Sequence, residues 1–416
     1  MKRRKVLISL QLLGIWFIAI LPTACVDEIE LNSIGYERLL VVDGNISDQS
    51  KTHEIFLSYT SPIDDNKDAS EPVTGATVWV EDDEGNRTNF TEHNAGSYLS
   101  PINFAGTVGR SYAIFISTTD GGEYQSSFQE LVAAPEIDRI YNRFAVKEYN
   151  QTVETIPGAQ FFIDVKNTEA STQFYRYEWT DTHQIIVPYI KRLNATRQPN
   201  GNYVITPFNE NVRECYRERG HNELILATST NNASAQLSEV PIKFSSSRDF
   251  DVTTSYSIEV TQRAISAKAY SYYRRIELFN ESNGSLFDKQ QGVIIGNVIS
   301  INNADEKVLG YFEVSGISKK RVFFELEDLD NGVIENAFKP CFSLSQIEYD
   351  GGTLRDFYEA TDIPEGNERA TAITVRAQYE LYDAFPGLTG TTWVFAHRFC
   401  VDCTYRGRLG KPDYWP

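Results

Sequence analysis

The chain has 416 residues, with 57 acidic and 39 basic side chains, a formal charge of −18, 41% hydrophobic content and five cysteines. This is the composition of a folded, water-soluble protein with enough chain for two or three domains, and it excludes collagen, coiled coil and wholesale disorder. The negative charge also argues against nonspecific contact with nucleic acid or an anionic membrane face, both of which need a cationic surface.

Residues 1–24 read as a lipoprotein signal peptide. Lys2, Arg3, Arg4 and Lys5 form a positive start, and Val6 to Leu21 is an apolar stretch of sixteen residues. As a helix it would span about 24 Å, short of the roughly 30 Å hydrocarbon core, so it reads as a leader and not a membrane span. Ala24 before Cys25 resembles a bacterial lipobox, although Leu21 stands one place too far from the cysteine and Pro22 takes its position. Cleavage there would leave Cys25 as the lipidated N-terminus; an ordinary signal peptide is the alternative. Residues 25–38 are then an acidic tether, in which Val26, Asp27, Glu28, Ile29 and Glu30 resemble the signal that sends lipoproteins to the outer face of the outer membrane. Losing the leader removes four positive charges and no negative ones, which leaves −22.

From residue 39 to 135 the chain reads as an immunoglobulin-like β-sandwich. Leu39 to Val42 precedes the turn at Asp43-Gly44; Ile55, Leu57 and Tyr59 share one strand face; Thr77 to Val80 precedes a turn at 82–86; Tyr112, Ile114 and Ile116 alternate before Asp120-Gly121. Period-two burial at about ten-residue spacing is the pattern of short antiparallel strands. Residues 136–416 read as a larger β-rich domain, an antiparallel sandwich with strands over 159–165, 174–180, 223–227, 256–261, 293–301 and 371–382. One helix is expected near 266–283, with Ser266 as N-cap, Gly284 at its end, and Ile265, Ala269, Tyr272, Ile276 and Phe279 as the core-facing stripe. The fold class expected is therefore mainly β, two sandwiches with one packed helix.

Outside the cytosol, Cys215, Cys341, Cys400 and Cys403 read as two disulfides, for which three connectivities are open. Zinc would want two close pairs, and only Cys400 and Cys403 are close; a redox pair would want a helix N-terminus. The reading favoured has Cys400 and Cys403 each reaching a distant partner, which staples the C-terminal segment to the body.

Motifs for chemistry are missing. The five histidines are scattered, and no His-Glu-x-x-His, Gly-x-Ser-x-Gly, phosphate loop or dinucleotide fingerprint occurs. Asp64, Asn66 and Asp68 alternate as in some calcium loops but without the glycine and the distal glutamate. No catalytic residue, metal ligand or cofactor is assigned. Among 23 tyrosines, 24 phenylalanines and 5 tryptophans, Tyr270 and Tyr273, off the helix stripe, and Trp393 are the ligand-contact candidates.

Leu40 to Gly44, Gly75 to Val78, Tyr256 to Val260, Gly284 to Phe287, Gly296-Asn297, Leu309 to Phe312 and the ending Cys400-Val401-Asp402-Cys403-Thr404 through Lys411 to Trp415 together resemble one family. It is the Bacteroidota lipoprotein family catalogued as domain of unknown function 4249. Gly407-Arg408 and Tyr414-Trp415 depart mildly from its usual ending. The resemblance implies an outer-membrane lipoprotein encoded near TonB-dependent transporters, with no reaction attached. The expectation is a non-enzymatic, surface-exposed lipoprotein, anchored through acylated Cys25 and accessory to a TonB-dependent β-barrel in substrate capture or gating. The alternative is a structural or adhesive subunit of a cell-surface or envelope-assembly complex.

Overall fold

The computed structural model describes residues 37–61, 71–148, 155–166, 174–220, 223–230, 237–246, 255–281, 293–325, 328, 341, 347–350, 352–359, 378–388 and 390–416. The leader, Cys25, the segment Val26 to Glu30, the acidic loop at 64–68, Gly284 and residues 371–377 lie outside them.

The alternation read in the first region becomes burial on one face. In the strand Glu54–Tyr59, Ile55 and Leu57 are fully buried and Tyr59 nearly so; in Ser111–Ser117, Tyr112, Ile114 and Ile116 point inward. An antiparallel path runs from Leu40–Ser47 through Glu54–Tyr59, Ser97–Leu99, Arg87–Asn94, Thr77–Asp82 and Ser111–Ser117 to Glu123–Ser126. Both ends of this path would be open sheet edges, which invite pairing with other chains. Strands from beyond residue 135 close them. Glu123–Ser126 pairs with Val298–Ser300, and Leu40–Ser47 pairs in parallel with Val308–Phe324. Val298, Phe312 and Val314 accordingly belong to the same core as Leu40, Ile55 and Ile114.

Val308–Phe324 is a spine. Its 17 residues pair with Leu40–Ser47 along the first half, from Val308 to Ser315, and with Tyr256–Ala264 along the second, from Gly316 to Phe324. The second half belongs to a second sandwich, in which the sheet of Ile137–Glu148, Thr155–Val165 and Val240–Ser246 faces that of Glu214–Gly220, Phe174–Ile186 and Tyr256–Ala264. Phe161, Ile163, Trp179, Ile258 and Val260 fill the space between them, with Phe161 and Tyr256 ring centroids 5.2 Å apart. The chain crosses from one sandwich to the other directly over the spine: a Cβ on Gly316 would lie 2.1 Å from the carbonyl oxygen of Val132, so only glycine lets the connection pass.

A smaller C-terminal layer pairs Thr391–His397 with Ile347–Asp350 and Tyr379–Pro386, backed by the hairpin of Leu193–Arg197 and Tyr203–Pro207. A short helix that the sequence pattern did not suggest, Leu354–Glu359, caps it, with Phe357 stacked on Phe395 at 3.6 Å. Two disulfides, Cys215–Cys403 and Cys341–Cys400, tie the end of the chain down. Each of Cys400 and Cys403 does reach a distant partner, and pairing in disulfides replaces both the zinc and the redox readings of these thiols. Trp415 completes the docking, edge-on to Tyr216 and Phe323. The molecule is mainly β, with sandwiches and, among the described residues, one long helix, as expected.

Candidate functional site: a cleft beside the long helix

The helix Ala267–Glu281 begins where the sequence places it. Ser266 Oγ accepts a hydrogen bond from the Ala269 amide at 3.1 Å, an N-cap that satisfies one of the first-turn donors. Ala269 and Tyr272 are buried against Ile265 and Tyr311, with Ile276 and Ile294 packed alongside. Phe279, the last member of the expected stripe, is 41% exposed.

The next face of this helix opens on a cleft of about 480 Å³. Lys268, Ser271, Tyr272 and Arg275 form one wall, at the i, i+3, i+4, i+7 spacing that aligns side chains along a helix. Ile295, Gly296, Asn297 and Ile299 form the other, and Ser127 and Tyr311 also line it. The second wall is fixed by an amide that imitates a strand. Asn297 Nδ2 donates to the Phe312 carbonyl at 2.8 Å, and Asn297 Oδ1 accepts from the Phe312 amide at 2.9 Å. Gly296 makes this approach possible, since a Cβ there would overlap the Gly310 carbonyl oxygen at 1.6 Å. Gln129 holds the base, accepting from Tyr311 Oη at 3.0 Å and from Ser266 Oγ at 3.3 Å. Burial pushes the Tyr311 phenol up to about 12, so it stays a neutral donor.

The cleft is amphipathic. Ile295 and Ile299 are 43% and 63% exposed, and Ile301, just past the end of the strand Val298–Ser300, is 53% exposed. Lys268 sits in the first turn, where the helix dipole disfavours a cation and where no acidic side chain offsets it. A side chain that works against local stability at the mouth of a cleft marks a candidate functional position.

The residues singled out from the sequence lie near this cleft or well away from it. Tyr270 and Tyr273 share its helix but not its walls, and both are half-buried. Tyr270 packs on Phe174 at 5.1 Å, and Tyr273 lies beneath the Arg176 guanidinium at 5.0 Å. Trp393 is in the C-terminal layer, half-buried, with Nε1 donating to the Gly352 carbonyl at 3.0 Å. The cleft's own residues were legible only in part: the apolar run 293–301 is in the sequence, but its facing Lys268 and Arg275 carry no motif.

A second cluster of titratable groups lies buried inside the second sandwich. Asp181 and His183 are fully buried on Phe174–Ile186, and Lys243 reaches them from the opposite sheet, its Nζ donating to Asp181 Oδ2 and lying 4.3 Å from the Trp179 ring centre. Burial acts to raise the Asp181 carboxyl, yet the Lys243 ammonium beside it helps hold it below the usual carboxylate range. Burial pushes Lys243 down to about 8 and His183 down to about 4. Arg219 Nη2 is 2.7 Å from His183 Nε2; a guanidinium can only donate, so Nε2 accepts and the ring is neutral. The 3.3 Å approach of the same nitrogen to Asp181 is then a contact without a proton, and Lys243 is the donor that keeps the carboxylate charged. Asp181, His183 and Lys243 are buried and serve one another, with Arg219 joining them from a partly exposed position, in the manner of a structural ion cluster. Among the described residues, no three His, Cys, Asp or Glu side chains gather as metal ligands, and no helix is long and apolar enough to cross a membrane.

The model of the family described as domain of unknown function 4249 matches residues 26–321, which include both sandwiches up to the spine and both walls of the cleft. No curated protein matches the chain.

Proposed function

The chain belongs to the domain of unknown function 4249 family, and from that premise we propose that it is a lipoprotein held on the outer membrane by acylated Cys25, facing the cell exterior, that assists a TonB-dependent transporter by binding and not by catalysis. The observation that carries this reading is the order of the first thirty residues: a basic start, an apolar run too short to span, Ala24-Cys25, then Val26 to Glu30. Each acyl CH₂ buried in lipid contributes about 0.8 kcal/mol, so a multiply acylated cysteine would keep the protein on its membrane. The amphipathic cleft supports a binding role, because ligand sites are typically concave and partly apolar, with a few polar groups that orient the guest. The burial of Asp181, His183 and Lys243 supports it from the other side, since no substrate can reach them.

The alternative, a structural or adhesive subunit of a surface assembly, is favoured by the ridge of Ile295, Ile299 and Ile301, which exposes apolar surface in the manner of a protein contact. Gentle detergent extraction of the native, Cys25-anchored protein, followed by mass spectrometry of what accompanies it, separates the two. A stoichiometric TonB-dependent β-barrel is the expected result. Isolation alone, or with other surface proteins and no barrel, overturns the transporter reading and leaves the assembly reading in its place.

A further inference from the structure

The cleft beside the helix has a charge pattern that specifies its guest more closely than the protein as a whole does. The chain carries −18, and a surface of that sign repels acidic partners at long range. At this cleft the local sign is reversed. Lys268 and Arg275 stand on one wall, the positive end of the helix dipole adds to Lys268, and among the described residues none that lines the site is acidic. The opposite wall carries the exposed isoleucines 295 and 299.

We propose that this cleft binds an extended segment of a partner protein in which acidic and apolar side chains alternate. This rests on the binding role argued above and names its ligand. Lys268 and Arg275 are seven residues apart, about 10 Å along the helix axis. An extended chain advances about 3.3 Å per residue and sends successive side chains to opposite sides. Side chains on one side of such a chain repeat at about 6.6 Å, so two acidic residues at alternate positions fit within the span between Lys268 and Arg275, whose long side chains can close the difference, and the residues between them face Ile295 and Ile299. The Ser127 and Ser271 hydroxyls supply polar groups for the backbone of the guest. The guanidinium of Arg275 suits a carboxylate because it can donate two parallel hydrogen bonds.

Fluorescence anisotropy with the full-length, detergent-solubilised protein tests this, using labelled hexapeptides Asp-Ile-Glu-Val-Asp-Ile, Lys-Ile-Lys-Val-Lys-Ile and Asp-Ser-Glu-Ser-Asp-Ser. The first should bind at least about tenfold more tightly than either of the others, against the overall charge of the protein. The double variant Lys268→Glu, Arg275→Glu should reverse the order of the first two peptides, and Ile299→Ser should weaken the first about fivefold. These three positions are exposed, and an unchanged thermal unfolding curve confirms that the variants remain folded. Tighter binding of the lysine peptide by the parent protein, equal binding of the serine peptide, or an order that survives charge reversal overturns the proposal. Loss of peptide binding with a barrel still co-purifying removes this inference alone; peptide binding without any barrel removes the transporter reading alone.

Discussion

The two sandwiches solve the same packing problem with different interiors. The first is filled by aliphatic and aromatic side chains, and among the described residues up to 135 no Asp, Glu, Lys or Arg is buried; the buried charges, from Asp164 onward, lie beyond residue 135, and they include Glu313 on the stretch of the spine that pairs with Leu40–Ser47. In the second sandwich Lys243 crosses between sheets to Asp181, and at the junction Glu313 is buried between Arg176 and Arg263. Apolar packing tolerates approximate neighbours, whereas a desolvated ion must find its partner. The difference teaches that the second sandwich has its sheets matched by charge, at the cost of a core that cannot lose one member safely.

Breaking the ion cluster should therefore have the largest effect. Lys243→Met leaves Asp181 charged and buried, and denaturant unfolding should show a loss of about 3–5 kcal/mol, most of it recovered in the double variant Lys243→Met, Asp181→Leu. Removing the Cys215–Cys403 bridge, which closes a separation of 188 residues, by paired Cys→Ser substitution should cost about 2–4 kcal/mol under oxidising conditions and nothing in reductant. Acid should weaken the second sandwich through His183. Unfolded, its imidazole takes a proton near pH 6.5; folded, only near 4. The unfolded chain thus holds more protons between those values, so stability falls as pH drops through that window. His183→Asn should flatten this limb of a stability–pH curve. The smallest effect belongs to the first sandwich, where Ile114→Val should cost about 0.5–1.5 kcal/mol, with the same loss at pH 4.5 as at pH 7. An equal pH dependence of that loss would mean that the two interiors are not independent.

The elements that repeat locally were legible in the sequence. Ile55-x-Leu57-x-Tyr59 and Tyr112-x-Ile114-x-Ile116 declare their buried faces within a few residues, and Ser266 followed by the 3.6-period stripe declares a helix start. What depends on distant neighbours was not. Nothing near Asp181 announces Lys243, 62 residues later, and nothing near Leu40 announces its parallel partner at Val308. The cysteine pairing needed three dimensions for the same reason. The binding candidates show a subtler limit. The sequence pointed to the right helix through Tyr270 and Tyr273, but those rings fill gaps against Phe174 and Arg176, and the open wall belongs to Lys268 and Arg275, residues whose type is ordinary on any helix.

The spine strand Val308–Phe324 has a consequence for how the protein is made. It is the late piece that both sandwiches wait for: Leu40–Ser47 and Tyr256–Ala264 each leave an edge unsatisfied until it arrives. Synthesis runs from the N-terminus, so about three hundred residues emerge before either sandwich can close. Long-range pairings of this kind slow folding and leave strand edges and apolar faces open to aggregation in the meantime. The chain must therefore be shielded until the spine has been made, and its two sandwiches reach their final form together, not in turn.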